Sequence, residues 1–452
     1  MGHVVRMTMT GGLGITFVFL VDAANLFWIS QLGDPQLVAA VGFAFAIQFL
    51  SVSVGIGMMV AAIALVARRI GEGDTGLARR TATSAAVISC VVQGLVAGGI
   101  ILFRHDIVAS TGAEGETARL AARSLAMSVP SLTIMAVSMI ANGSLRAQGD
   151  GARSMYVTLT SGAVAMLVDP LLIYVLGLGL DGAAIGISVS RSVMLCMALW
   201  FAIGTHDLMA RPSLRDVRLT FVPFVAIAIP AILTQIATPA GNFLMTNVMS
   251  QFGDDSVAGW AVVGRMTVVA FGGIFSLAGA IGGIFGQNYG AHRFDRLQST
   301  YRDAVVFGVG YSLVTWAALF AASSLVIDGF ALTPEGGRVV RAFAMVGAGG
   351  FVFAAALFVS NAAFNSLGKP TRSTMLNWLR DGVLTLPLAL LLAGWFGATG
   401  MLYAQAVARM IVGAVGALWG WRYVKSLQVP PVPVLDLEPQ RPYANADRYR
   451  RR

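Results

Sequence analysis

Charge is what this sequence has least of. Only 12% of its 452 residues are Asp, Glu, Lys or Arg, about half of the roughly 25% usual in a soluble domain. No stretch reads as a soluble domain, so lipid is the solvent in which the fold must be argued. Cysteine is nearly absent: Cys90 and Cys196 sit inside apolar runs and are read as buried free thiols, which excludes a disulfide framework. His3, His105, His206 and His292 fall near helix ends or in loops, so no metal site is expected. No nucleophile–base pair lies within an apolar run, which argues against an enzyme. The glycine-rich "FGGIFSLAGAIGGIFG" lacks the lysine, strand and helix context of a phosphate loop and reads as helix packing. A net charge of +9 would suit nucleic acid. The arginines, however, cluster in short loops and at the far C-terminus, where the positive-inside rule and anionic lipid place them. Membrane lipid, and no nucleic acid, is the expected partner.

What is abundant is apolar: 56% of residues are hydrophobic and 52 are glycine, which suits close helix approach in lipid. The runs predict twelve spans, each near or above the roughly 20 residues that cross a hydrocarbon core. They are helix 1 (Met7 to Leu32), helix 2 (Gln36 to Ala67), helix 3 (Leu77 to Phe103), helix 4 (Glu116 to Ala147), helix 5 (Ala152 to Leu176) and helix 6 (Gly182 to Ile203). After the polar "GTHDLMARPSLRDVR" come helix 7 (Leu219 to Phe252), helix 8 (Ser256 to Tyr289), helix 9 (Asp295 to Ile327), helix 10 (Gly337 to Leu367), helix 11 (Pro370 to Trp395) and helix 12 (Gly400 to Leu427). This gives a six-helix lobe at 1–203, a loop at 204–218, a second lobe at 219–427 and a disordered basic tail at 428–452. No cleavage site follows the first apolar run, so helix 1 is expected to stay as an uncleaved signal anchor. Arginines and Lys369 favour the loops after helices 2, 4, 6, 8 and 10, among them Arg68, Arg146, Arg215, Arg293 and Arg380. The bias places those loops, and both termini, in the cytoplasm of a plasma (inner) membrane protein.

The halves resemble each other. "ISQLGDPQLVAAVG" from Ile29 matches "MSQFGDDSVAGWAVVG" from Met249, and "LRAQGDGARS" from Leu145 matches "FNSLGKPTRS" from Phe364, while Gly182 and Arg191 pair with Gly400 and Arg409. Six helices per half, an even number, give both halves one orientation. The fold class is an all-α membrane protein with about twelve transmembrane helices in two parallel six-helix repeats around a central cavity.

The motifs "LVDAANLFWISQLG" at Leu20, "VARRIGEGD" at Val66, "LRAQGDGARSMYV" at Leu145, "LVDPLLIYVLGLGLDGAAIG" at Leu167, "GQNYGA" at Gly286 and "FNSLGKP" at Phe364 resemble the multidrug and toxic compound extrusion (MATE) family of cation-coupled exporters. The resemblance spans helices 1 to 12. It implies two six-helix bundles around a V-shaped cavity that exchange between inward-open and outward-open forms, driven by a proton or sodium gradient.

An ionisable group deep in a span costs a few kcal/mol and is a functional candidate by default. Asp22 lies near the middle of helix 1, between "FVFLV" and "AANLFWI", where ionisation is costly and a proton can be exchanged. Asn25, three residues on, is placed to hydrogen-bond it. Asp169 precedes Pro170 in helix 5, beside a carbonyl that the proline frees. The resemblance puts Asp22 on the family's helix 1 acid. It joins Asp169 and Asn142 to that acid in a polar cluster of the first lobe. Family members often carry an asparagine where this chain has Ala165, which weakens a sodium reading more than a proton one; Ser188 and Ser190 are placed to compensate. At the repeat offset Asp22 faces Asn242, Asn142 faces Asn361, and Asp169 faces Pro387 or Leu388. Deep carboxylates are thus expected in the first half alone, and ion coupling with them. Arg191 and Arg409 are expected to share a structural role. Met135, Met139, Ser188, Asn242 and Arg265 are candidates to line a substrate cavity, although packing is the commoner fate of a methionine.

The expected function is a monomeric secondary active antiporter that exports organic, amphipathic or cationic small molecules on a proton, alternatively sodium, gradient, with no cofactor beyond the coupling ion. The competing reading is a flippase of lipid-linked precursors from the same superfamily, which calls for a cationic cavity, and Arg265 is its one obvious candidate.

Overall fold

Backbone polar groups in lipid must bond within the protein, which leaves helices as the solution for chains of this hydropathy. The computed structural model describes residues 2–427, all of whose regular elements are helical; the expected tail lies outside the described residues. Helix 1 covers Gly2–Ser30, helix 2 Pro35–Gly71 and helix 3 Thr75–Leu102. Helix 4 is the bent pair Gly115–Ser128 and Ser131–Gln148, helix 5 is Gly151–Val175 and helix 6 Gly179–Thr205. Helix 7 is Leu214–Phe252, helix 8 Asp254–Gly290 and helix 9 Phe294–Gly329. Helix 10 is the bent pair Pro334–Gly347 and Gly350–Ser366, helix 11 is Pro370–Phe396 and helix 12 Ala398–Ser426. Ten of these qualify as single spans and twelve when each bent pair counts once. The inter-lobe loop is 206–213, shorter than expected, because helix 6 runs on through a wide turn at Trp200–Thr205. A short helix at Arg104–Ser110, after helix 3, was not expected.

The repeat is written into the backbone. Left-handed residues end or join helices at Gly33 and Gly253, Gly73 and His292, Gly112 and Ala331, Gly149 and Gly368, and Gly177 and Gly397, each pair 219 or 220 positions apart. Turns of this hand admit glycine most easily, so five such pairs at one offset mark a duplicated chain path. The bends correspond too. Helix 4 turns by 49° at Val129–Pro130 and helix 10 by 58° at Ala348–Gly349. Proline explains the first bend, glycines the second.

Polar caps fix the loops. Asp34 accepts from Gln36 N at 2.8 Å and Asp74 from Leu77 N at 2.8 Å. Asp150 caps helix 5 through Arg153 N at 3.0 Å, pairs with the Arg153 guanidinium, and contacts His206 Nε2 at 2.8 Å beyond helix 6. Burial alone would raise this carboxyl, but the bonds from His206 and Arg153 outweigh it and hold it below the usual carboxylate range. A depressed carboxyl stabilises the fold above its unfolded value and loses that contribution as pH falls through its folded value. Asp150→Ala is therefore expected to cost about 1–2 kcal/mol at neutral pH. The deficit should shrink below about pH 4, as read by thermal unfolding of wild type and variant across a pH series.

The lobes meet near the end where helix 1 begins and helices 2 and 8 stop. A Cβ on Gly71 would strike Gln287 O, one on Gly290 would strike Arg68 O, and one on Gly283 would lie 2.5 Å from Arg146 O. Gln287 Nε2 donates to Ala147 O at 2.6 Å, and Ser276 Oγ of helix 8 to Thr8 O of helix 1 at 2.8 Å. Phe224 and Ala228 of helix 7 pack with Met58 and Ala61 of helix 2. Nearer the other end, Asp22, Asn242 and Arg265 are exposed, and the lobes part into a cleft. Within the second lobe Phe271 stacks on Phe351 at 3.9 Å between ring centroids. Cys90 is half-buried and Cys196 exposed, which corrects the expectation of buried thiols. Helix 6 is apolar on its lipid-facing side as well, so the apolar run did not tell inside from outside.

Candidate functional site

The first lobe holds one carboxylate sealed in and one open to the cleft. Asp169 is 3% exposed. Pro170 lacks an N–H, and the backbone widens into a π turn at Leu171–Val175 directly after it. Asp169 Oδ2 accepts from Asn25 Nδ2 at 2.8 Å, while Oδ1 is buried without a hydrogen-bond partner. Oδ1 occupies the space where a Cβ on Gly186 of helix 6 would stand. Asn25 thus bonds Asp169 rather than Asp22, as the spacing had suggested. It continues the row Phe17 and Val21, which packs on Gly162 of helix 5.

Asp22 makes no hydrogen bond among the described residues. Leu13, Leu20 and Phe27, seven residues apart, are 58%, 54% and 52% exposed and form the lipid stripe of helix 1. Asp22 lies three turns beyond Gly11, which abuts Ser276 of helix 8, and so points away from that stripe and into the cleft. The charge within its reach is Arg191 of helix 6. Arg191 donates to Ser131 Oγ at 2.7 Å, to Ser128 O at 3.2 Å and to Gln48 Oε1 at 3.0 Å. The guanidinium thereby ties helices 2, 4 and 6 at the bend of helix 4.

The second lobe repeats this tie. Arg409 Nη1 donates to Gly347 O at 3.4 Å and Nη2 to Gln405 Oε1 at 3.5 Å, with the guanidinium 4.2 Å from the Phe351 ring centroid. Ser128 and Gly347 are 219 positions apart, so the equivalent arginines hold equivalent carbonyls at the two bends. Beside Arg409 lies an ion pair that the sequence reading missed. Arg380 Nε and Nη2 donate to Asp381 Oδ1 and Oδ2 at 2.7 and 2.6 Å, and Nη2 to Thr238 Oγ1 at 3.1 Å. Thr238 Oγ1 in turn donates to Asp381 Oδ2 at 3.0 Å, joining helix 7 to helix 11. A Cβ on Gly241 would sit 2.8 Å from the Asp381 Cβ, so glycine makes room here as Gly186 does for Asp169. Deep carboxylates are therefore not confined to the first half, and Arg380 does not belong to a loop. The signal was an adjacent Arg–Asp pair well inside helix 11.

Other expectations are corrected. Asn142 is buried with its Oδ1 unpartnered and bonds neither acid; its repeat mate Asn361 is in the same condition. Ser188 and Ser190 donate to Ala184 O and Ile187 O of their own helix and do not supplement Asp169. Ser188 lines an outer groove of helix 6 with Ile185, Ser192 and Cys196. Met135 and Met139 pack within the first lobe against Gly55, because their side of helix 4 faces helix 2 rather than the cleft. Asn242 and Arg265 are exposed, on helix faces in register with those that pack across the lobes. Phe224 and Ala228, 18 and 14 residues before Asn242, pack on helix 2, and whole turns carry that face along helix 7. Arg265 lies 7 and 11 residues before Gly272 and Ser276, which touch helix 1 at Thr16, Thr8 and Gly11.

The MatE family model matches residues 12–171 and 230–391, two segments whose bounds differ by 218 and 220. A protein of Shewanella oneidensis described as an FAD transporter is 22% identical over 90% of this chain and 91% of its own length. Multidrug export protein MepA of Staphylococcus aureus is 20% identical over 90% of each. Among solved structures, a MOP superfamily transporter from Pyrococcus furiosus, described as having a binding pocket of reverse polarity, superposes with a TM-score of 0.87 over 95% of this chain and 96% of that one at 22% identity. An outward-facing multidrug resistance MATE transporter gives 0.88 over 94% and 96% at 23% identity.

Proposed function

This chain belongs to the MatE family of membrane transporters, and from that premise we propose that it is a proton-coupled antiporter that exports amphipathic organic compounds by alternating access. The observation that carries the reading is Asp22: a carboxylate with no hydrogen bond among the described residues, facing the cleft, with the guanidinium of Arg191 as its counter-charge. A sodium ion wants several oxygens around it, and a neighbouring guanidinium repels it, whereas one carboxylate suffices for a proton.

Protonation of Asp22 cancels its attraction to Arg191 and loosens helix 1 from the joint of helix 4. The proton and the cargo then favour different arrangements of the same helices, which is what coupling requires. Asp169, clasped by Asn25, is the second titrating group and holds helix 1 to helix 5. The positive-inside bias puts the sealed end and both termini in the cytoplasm of the plasma (inner) membrane, so the cleft faces outward. The transporter works as a monomer, since each lobe carries its own part of the path.

The test is uptake of a fluorescent amphipathic dye by proteoliposomes under proton and sodium gradients imposed separately. Dye movement should follow the proton gradient and ignore sodium. Transport driven by sodium alone, or by neither gradient, overturns the reading.

A further inference from the structure

We infer that the buried charge cluster of the second lobe receives an acidic group of the cargo, so that the exported compounds are organic anions or zwitterions bearing a carboxylate or phosphate. The inference rests on the transport reading above and names its substrate class.

The cluster has a mouth. Thr238 is exposed and lies one turn before the exposed Asn242 on helix 7, on the side that turns toward the first lobe where the lobes have parted. Behind Thr238 stands Asp381, with Arg380 bonded to both. Arg409 lies within electrostatic reach of each of the pair. One carboxylate, bonded to Arg380 alone, thus stands among two guanidinia, and a net positive charge is left inside a lobe. Such a charge is costly unless a counter-ion meets it. Arg409 is also underused as a donor: its hydrogen bonds of 3.4 and 3.5 Å are at the outer limit of such contacts. Guanidinium is the group best suited to carboxylate and phosphate oxygens.

The wall around the mouth agrees. Arg265 projects from helix 8 on its cleft face, with no carboxylate bonded to it among the described residues. The acid is on the other side: the first lobe exposes Asp22 to the cleft, with Arg191 held behind it by Ser128, Ser131 and Gln48. The two walls are therefore of opposite sign. A cargo with an acidic end is drawn to the second lobe, and the proton-exchanging acid is left free in the first. An acidic headgroup is shared by small organic acids and by lipid-linked phosphates, so the source has to be distinguished by experiment.

The experiment compares binding of 1-naphthylacetate, 1-naphthyl phosphate and 1-naphthylmethylammonium to the purified full chain, followed by intrinsic tryptophan fluorescence without any gradient. The three share one ring system and differ in the charged group. At least one acid is expected to bind about tenfold or more tightly than the ammonium. Arg409→Gln should remove that preference and Arg409→Lys restore part of it. Thr238→Val, which keeps the size of the side chain and removes the hydroxyl that bonds Arg380 and Asp381, should weaken the acids alone. Displacement of naphthyl phosphate by a polyprenyl phosphate, and not by small acids, would assign the site to a lipid headgroup. Equal or tighter binding of the ammonium, no binding of any of the three, or a preference that survives both Arg409→Gln and Thr238→Val overturns the inference. Binding here needs no proton gradient, so a failure of proton drive strikes the transport reading and leaves this result standing.

Discussion

Asp22→Asn is expected to lower proton-driven transport by about 100-fold, equivalent to about 2.7 kcal/mol, while the protein remains folded. Asparagine keeps the size of the side chain and mimics the neutral acid, so helix 1 is permanently released from Arg191. Exchange of labelled against unlabelled cargo at equal concentration on both sides should persist, because it requires the conformational cycle but no proton. This separates a coupling residue from one that merely holds the fold. Asp169→Asn should fall less, by about tenfold, since its amide oxygen can still accept from Asn25. Wild-type proton drive in Asp22→Asn, or loss of exchange together with drive, would remove Asp22 from the mechanism.

Gly71→Ala combined with Gly290→Ala is expected to shift the protein out of the sealed form seen here. Each added methyl runs into a backbone carbonyl of the opposite lobe, Gln287 O in one case and Arg68 O in the other. No side-chain rotation relieves such a clash, and overpacking of this kind costs about 1–3 kcal/mol per site. The neighbouring sites will not add fully, so a net bias of about 2–4 kcal/mol, or about 30- to 1,000-fold in population, is the expected range. Spin labels on Asp34→Cys and Asp254→Cys, with Cys90 and Cys196 replaced by serine, report the width of the cleft mouth. Their separation should shorten in the glycine variant and transport should fall. An unchanged distance distribution with unchanged transport would show that the seal is not made where these glycines meet.

Much of this was legible in the sequence. The twelve apolar runs gave the spans to within a few residues, and three local matches gave the duplication. Residues in lipid, however, carry little information about which way they face. Asn25 sits three residues from Asp22, so spacing on one helix favoured that pair. The contact was decided by helix 5, whose approach at Gly162 no single-helix argument contains. Met135 and Met139 looked like cavity lining because methionine is as apt for a pocket as for a core. Arg380 lies close in sequence to Lys369 and Arg372 at the loop after helix 10, although the helix beginning at Pro370 carries it inside. Its neighbour Asp381 was the clue: opposite charges next to each other within an apolar helix are affordable only as a pair. Arg191 and Arg409 were correctly matched by offset, but what they hold emerges only with the bends in helices 4 and 10.

Those two bends are elbows braced in the same way, each by a guanidinium reaching in from the last helix of its lobe. The braces answer to different masters. The brace of the first lobe has an exposed acid, Asp22, within reach of its charge. That of the second is shadowed by an ion pair locked inside helix 11. On the proposed mechanism, two halves of common descent have in this way become a moving arm and a steady shoulder, distinguished by which elbow can be unlocked from outside.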